Sequence, residues 1–254
     1  MSGSLQSRGF LISATLLREK IGSPDLYPFN LPVIKNLETI RFHSKVTFII
    51  GENGSGKSTL IEAIALAAGF NAEGGTRNFH FSTRASHSEL YRSLRIARSH
   101  KRPKTGFFLR AESLYNTATE IDRLDAIPSF SATTPLIQAY GGRSLHEQSH
   151  GESFLALLNH RFGANGLYIL DEPEAALSPT RQMAALARMH QLVEDGSQFI
   201  IATHSPILMA YPNARILSVS EKGLNEIAYD QTEHFVVTRQ FLNNTDGMLR
   251  QLLQ

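Results

Sequence analysis

Gly51, Gly56, Lys57 and Ser58 stand in the spacing G-x-x-x-x-G-K-[ST] within FIIGENGSGKSTLIEAI. A strand-like apolar run precedes them and an amphipathic helical pattern follows, which is the context this spacing requires. The chemistry it suits is the cradling of a nucleoside triphosphate. Glycines let successive backbone N–H groups turn inward on phosphate oxygens, and the following helix points its positive end at them. Lys57 is then expected against the β and γ phosphates, with the Ser58 hydroxyl on Mg2+.

Two carboxylates and a histidine extend that chemistry. In LYILDEPEAALSP, Asp171 and Glu172 fall where an apolar strand pattern ends. Ligand sites in parallel sheets form beyond the carboxyl ends of the strands. If this strand lies beside the one leading into the phosphate loop, Asp171 faces the Mg2+ and Glu172 faces an attacking water, which it can orient or deprotonate. His204 in FIIATHSP follows another such strand and is expected at the same edge, within reach of a γ-phosphate or of that water. In QSHGES, Ser149 and Glu152 have the S-x-x-E spacing of a capping box, and Gly151 allows close backbone approach. That helix start reads equally as a plain cap and as an anion site.

These residues must be positioned by something, and the rest of the sequence indicates an α/β fold. KVTFIIG, GFFLR, LYILDEP, QFIIATH and ARILSVS are apolar without alternation, as strands buried on both faces of a mostly parallel sheet are. Helical patterns follow in STLIEAIALAAGF, ESFLALLNHRF, SPTRQMAALARMHQLVEDG and VTRQFLNNTDGMLRQLLQ. The third opens with Ser178 as cap and Pro179 in the first turn, and closes at Gly196. GFLISATLLRE and LETIRFH read as N-terminal antiparallel strands flanking the sheet, and RILSVSEKGLNEIAYD as a hairpin turning at 221–223.

The 254 residues include no cysteine, which excludes a disulfide framework and any cysteine-ligated zinc or iron–sulfur centre. No apolar run nears the roughly 20 residues that cross a bilayer, so direct membrane insertion is not expected and a cytoplasmic setting is. The net charge of +2 hides a local concentration: residues 82–104 carry seven Arg and Lys (Arg84, Arg92, Arg95, Arg98, Lys101, Arg102, Lys104) against Glu89 alone. Such a stretch is a solvated face or a surface for DNA, RNA or an acidic partner.

Phosphate loop, SHGE before a helix, LYILDEP, ALSP and ATH follow one another as in the nucleotide-binding domain of the ABC ATPase superfamily. More narrowly, NFHFSTR, GFFLRAESLYN and YGGRSLHEQSHGESFLALL resemble small stand-alone bacterial ATPases of the RecF and SMC branch, often labelled AAA-family ATPases. The resemblance implies a P-loop ATPase head as one domain over residues 1–254, with an insert and helical subregion at 82–147. It implies ATP and Mg2+ as ligands. Gly51, Glu52, Asn53, Gly54, Ser55, Gly56, Lys57, Ser58 and Thr59 correspond to the Walker A loop, Ser58 and Asp171 to metal ligands, Glu172 to the catalytic glutamate and His204 to the switch histidine.

Ser149 and Gly151 match the family's signature, which in an ATP-dependent head-to-tail homodimer completes the site of the other subunit. His150 and Glu152 depart from its usual glycine and glutamine, and Ser178 stands where transporter subunits have an aspartate. The Q-loop glutamine has only Glu112 as a counterpart. SMC-type heads are interrupted by coiled-coil arms. Here Gly51 and Ser149 are 98 positions apart with no heptads between them, so arms are excluded. The implied function is an ATP-hydrolysing switch acting on nucleic acid or on a protein partner such as a nuclease, in DNA repair or defence against foreign DNA. The alternative is the nucleotide-binding subunit of a membrane transporter.

Overall fold

Five runs of Val, Ile, Leu and Phe become five parallel strands because both of their faces are covered. The computed structural model describes residues 9–71, 74–75, 88–110, 113–125, 135–220 and 223–253. In chain order its elements are β1 (Leu11–Leu16), α1 (Pro32–Lys35), β2 (Thr39–Arg41), β3 (Val46–Ile50), α2 (Lys57–Ala67), β4 (Leu94–Arg98), β5 (Thr105–Arg110), α3 (Ser113–Asp125), α4 (His150–Ala156), β6 (Gly166–Asp171), α5 (Pro179–Glu194), β7 (Gln198–Ala202), α6 (Pro206–Met209), β8 (Arg215–Ser220), β9 (Gly223–Glu226), α7 (Glu233–Asn243) and α8 (Thr245–Leu252). The main sheet has the order β5-β6-β7-β3-β8-β9, parallel except for the antiparallel edge strand β9.

Alternate side chains of each strand enter two separate cores. Phe48, Tyr168, Phe199 and Ile201 pack with Phe154 of α4 and Met189 and Leu192 of α5. Ile49, Ile169 and Ile200 pack on the opposite face with Leu60, Ile61 and Ile64 of α2 and with Leu11 and Ala14 of β1. Each such side chain contributes about 1.5–3 kcal/mol on burial, and because both faces of the strands are covered, apolar residues dominate both, which explains the absence of alternation.

β1 and β2 pair antiparallel, as expected, and β4 joins them to make a second sheet of order β2-β1-β4. The fully buried amide of Gln198 ties the two sheets together: its Oε1 accepts from the Leu11 N–H at 2.9 Å and its Nε2 donates to Leu11 O and His43 O, both at 2.9 Å. α5 begins where the sequence places it, with Ser178 Oγ accepting from the Arg181 N–H, Pro179 at the first turn and Gly196 in the left-handed region beyond its end.

Two expectations are corrected. The C-terminal helical pattern is broken at Asn244, whose φ of −144° is not helical, into α7 and α8. The strand ending at Asp171 also does not neighbour the phosphate-loop strand, because β7 lies between β6 and β3. No helix among the described residues is long and apolar enough to cross a membrane.

Candidate nucleotide and hydrolysis site

β3 ends at Ile50 and the chain turns through Gly51, Gly54 and Gly56 with φ of 151°, 80° and 93° before α2 begins at Lys57. Glycine is required twice over at the two ends of this loop. A Cβ on Gly51 would lie 2.9 Å from Val219 Cβ, and one on Gly56 would lie 2.9 Å from Val33 Cγ1, in addition to the unfavourable backbone. Lys57 is 4% exposed and its ammonium folds onto its own loop, donating to Gly51 O at 2.8 Å and Glu52 O at 2.7 Å. Burial lowers its pKa, while the carboxylates Glu172 and Asp171 work against that shift. A buried ammonium at a helix start, beside backbone N–H groups, has the donor set that phosphate oxygens satisfy.

Asp171 is the last residue of β6, 7% exposed and in register with Ala202 of β7. Ser58 Oγ donates to its Oδ1 at 3.1 Å. The contact spans the intervening β7 because Ser58 sits on the first turn of α2, beyond the strand ends. Burial pushes the Asp171 pKa up to about 6, with the Ser58 hydrogen bond opposing and Glu172 adding to the rise. A carboxylate and a hydroxyl so placed are hard oxygen donors fit for Mg2+, which takes few protein ligands and keeps substrate phosphate and water for the rest.

Glu172 turns the chain out of the sheet. Its backbone has φ 48° and ψ 53°, rare for a residue with a side chain, and its N–H donates to Ala202 O at 2.9 Å. The carboxylate is half-exposed, with Oε1 3.5 Å from His204 Nε2. His204 follows β7. Its N–H donates to Glu174 Oε1 at 2.6 Å, and its Nδ1 lies 3.0 Å from Nε2 of His234, in the first turn of α7. Lys57, Ser58, Asp171, Glu172 and His204 thus converge at the carboxyl edge of β3, β6 and β7. A cleft of about 550 Å3 opens beside them, lined by Gly51, Glu52, Asn53, Ser218, Glu233 and His234 among others.

Ser149 and Gly151 lie apart from this constellation: among the described residues no hydrogen bond joins them to the phosphate loop. The capping box is formed, with the Ser149 N–H and Oγ donating to Glu152 Oε2 at 2.9 and 2.7 Å and the Glu152 N–H donating to Ser149 Oγ at 3.4 Å. Arg181 of α5 donates to Ser149 Oγ at 3.3 Å and to Glu152 Oε1 at 3.2 Å. Gly151 is buried, and a Cβ there would sit 2.6 Å from Ala176 O and 2.8 Å from Arg181 Nη1. Its lack of a side chain is what lets α4 seat against the turn that follows Glu172.

Of the basic stretch, Arg92, Arg95 and Arg98 are exposed on or beside β4, an edge strand of the second sheet. Arg92 pairs with Glu89 at 2.9 Å and Arg98 donates to Ala67 O at 3.0 Å. Arg84 and Glu112 lie outside the described residues. Sequence reasoning missed His234 and Arg181. Both sit in ordinary helix starts, and only the loop chemistry of TEH and SPTR, a capping residue just before each, marked where they would emerge.

Residues 29–126 match a family model described as "AAA domain", and residues 116–210 match one described as "AAA domain, putative AbiEii toxin, Type IV TA system". Between them these stretches hold the phosphate loop, Ser149, the carboxylate pair and His204; His234 lies beyond both. None of the curated proteins matches the sequence significantly. Among solved structures, the chain is similar to MJ1267, an ATP-binding cassette of an ABC transporter, at 16% identity, over 93% of this chain and 98% of that one, with a TM-score of 0.55. It is similar also to a nucleotide-free ATP-binding cassette from an ABC transporter, at 17% identity over 91% and 95% of the two chains, TM-score 0.51. The SMC head domain from Thermotoga maritima aligns at 16% identity over 86% and 98%, TM-score 0.42.

Proposed function

We propose that this chain, an ABC/SMC-like P-loop ATPase in fold, binds ATP and hydrolyses it within a head-to-tail pair of its own copies. The observation that carries this reading is the convergence of Lys57, Ser58, Asp171, Glu172 and His204 from three separate loops onto one sheet edge. Each has a distinct task. The loop N–H groups and Lys57 hold the phosphates and draw charge off the γ-phosphate as it leaves. Ser58 and Asp171 would hold Mg2+, which when bound neutralises phosphate charge. Glu172 orients a water and takes its proton as the water oxygen bonds to the γ-phosphorus and the bond to the β-phosphate oxygen breaks, giving ADP and phosphate. His204 donates to the γ-phosphate or to that water.

The second copy supplies Ser149 and the α4 start. In one chain Ser149 is bound to Glu152 and Arg181 on an exposed surface, where a facing subunit can meet it. ATP then closes the pair and hydrolysis reopens it, because ATP has higher affinity for the closed state. The mechanical output goes to nucleic acid through the exposed arginines of β4 or to a protein partner. The transporter cassettes among the similar structures support a second reading of the same cycle, as the nucleotide-binding subunit of a membrane transporter. Purification with and without ATP separates the two: a membrane protein in the ATP-dependent eluate supports the transporter reading, and DNA or a soluble enzyme supports the first. Absence of Mg2+-dependent ATP turnover by the pure chain and its co-eluting partners would overturn both.

A further inference from the structure

We propose that His234, in the first turn of α7, is a positioning residue for His204: its Nε2–H donates to His204 Nδ1 and holds that imidazole with its remaining proton on Nε2, aimed at Glu172 and the γ-phosphate. This rests on the hydrolysis site proposed above. Two neutral imidazoles with ring nitrogens 3.0 Å apart share one proton between those atoms. If His204 were the donor, its Nε2 would present a lone pair to the Glu172 carboxylate 3.5 Å away, acceptor against acceptor. With His234 as donor, His204 Nε2 carries a proton and faces an acceptor. The ring planes meet at 58°, so the contact is a directed hydrogen bond and not a stack. Burial, with Lys57 adding to it, lowers the pKa of both histidines, which keeps the pair neutral at neutral pH and makes the tautomer the variable that matters.

The surroundings hold His234 in place for this contact. Thr232 is buried and caps α7, accepting from the Phe235 N–H at 3.4 Å and donating to Tyr229 O at 2.8 Å. The Tyr229 hydroxyl donates to Pro206 O at 3.0 Å, two residues beyond His204. The segment leading into α7 is therefore fastened through Tyr229 to the first residue of α6, just after His204, while no residue within α7 or α8 is itself buried. Core packing has no need of a histidine at 234; the orientation of His204 does.

The test compares His234→Ala, His234→Gln, His204→Ala and the double variant, all in the full chain with Mg2+ and ATP. His234→Ala is expected to lower kcat about tenfold, the loss of one hydrogen bond, with KM for ATP and Tm unchanged. His234→Gln, whose amide can donate, should recover most of the rate, and the double variant should be no slower than His204→Ala alone. Imidazole 15N spectra provide a readout independent of turnover: His204 should be wholly the Nε2–H tautomer in the wild type and a mixture in His234→Ala. Additive losses in the double variant, a Gln variant as slow as Ala, or an unchanged tautomer would overturn the proposal. A wild type without ATPase activity would overturn the proposed function instead, and the spectra would still decide the tautomer.

Discussion

Asp171→Asn replaces a buried carboxylate that, as the Mg2+ ligand proposed above, must ionise to hold a cation. Burial raises its pKa from 3.8 to about 6, so the folded chain holds the Asp171 proton more tightly than the unfolded chain does. The sign follows: the contribution of the protonated carboxyl is fully present below pH 3.8 and is lost as the pH rises through about 6. At pH 8 the wild type carries the whole cost of the buried charge, about 3 kcal/mol at roughly 1.4 kcal/mol per tenfold of proton affinity. Asparagine keeps the size and an Oδ1 that can accept from Ser58, so the variant without ligand should be more stable than wild type at pH 8 by up to that amount. For a chain of this length that is a rise in Tm of about 8 °C. The gain should hold between pH 8 and about pH 7 and shrink in thermal scans taken from there down through pH 6 to pH 5. Addition of Mg2+ and ATP should reverse the order, stabilising the wild type and not the variant. A variant no more stable than wild type at pH 8, or a gain equal at pH 5 and pH 8, would refute the view of Asp171 as a charge kept at a cost for a cation.

Lys57→Ala should abolish ATP binding in titration calorimetry, and wild-type affinity would refute the phosphate-loop assignment. Glu172→Gln should bind ATP, stop turnover and accumulate as a dimer in light scattering with saturating nucleotide; a monomer under those conditions would sink the head-to-tail arrangement. Gly151→Ala should lower stability by about 1–3 kcal/mol through overpacking, since its Cβ would meet Ala176 O at 2.6 Å; an unchanged Tm would mean that α4 can slide. Arg95→Glu combined with Arg98→Glu should weaken DNA binding and reduce the slope of log K against log salt by about 2, and an unchanged slope would assign these arginines to solvent alone.

The strands of the main sheet were legible because each is apolar on both faces, a property that Phe48, Ile49, Tyr168, Ile169 and Ile200 carry locally. Their order was not. Nothing within LYILD says that QFIIA will lie between it and VTFII, because pairing is a long-range outcome of which helix covers which face. The proximity of Ser58 to Asp171 follows from two local facts, a helix start and a strand end, and so survives the wrong neighbour. β4 buries Leu94 and leaves Arg95 and Arg98 exposed on opposite faces; in sequence the arginines masked the strand. His234 escaped notice because its contact with His204 spans 30 positions, whereas the phosphate loop is complete within nine.

Glu172 occupies a backbone conformation in which a side chain costs about 1 kcal/mol or more and glycine is at ease. Glycine at this position would relax the turn and raise the melting temperature, while removing the carboxylate proposed to take the proton from water. Under the proposed mechanism, thermal endurance and turnover pull residue 172 in opposite directions, and a library at this codon sorted by heat resistance would drift toward chains that lack the proposed base.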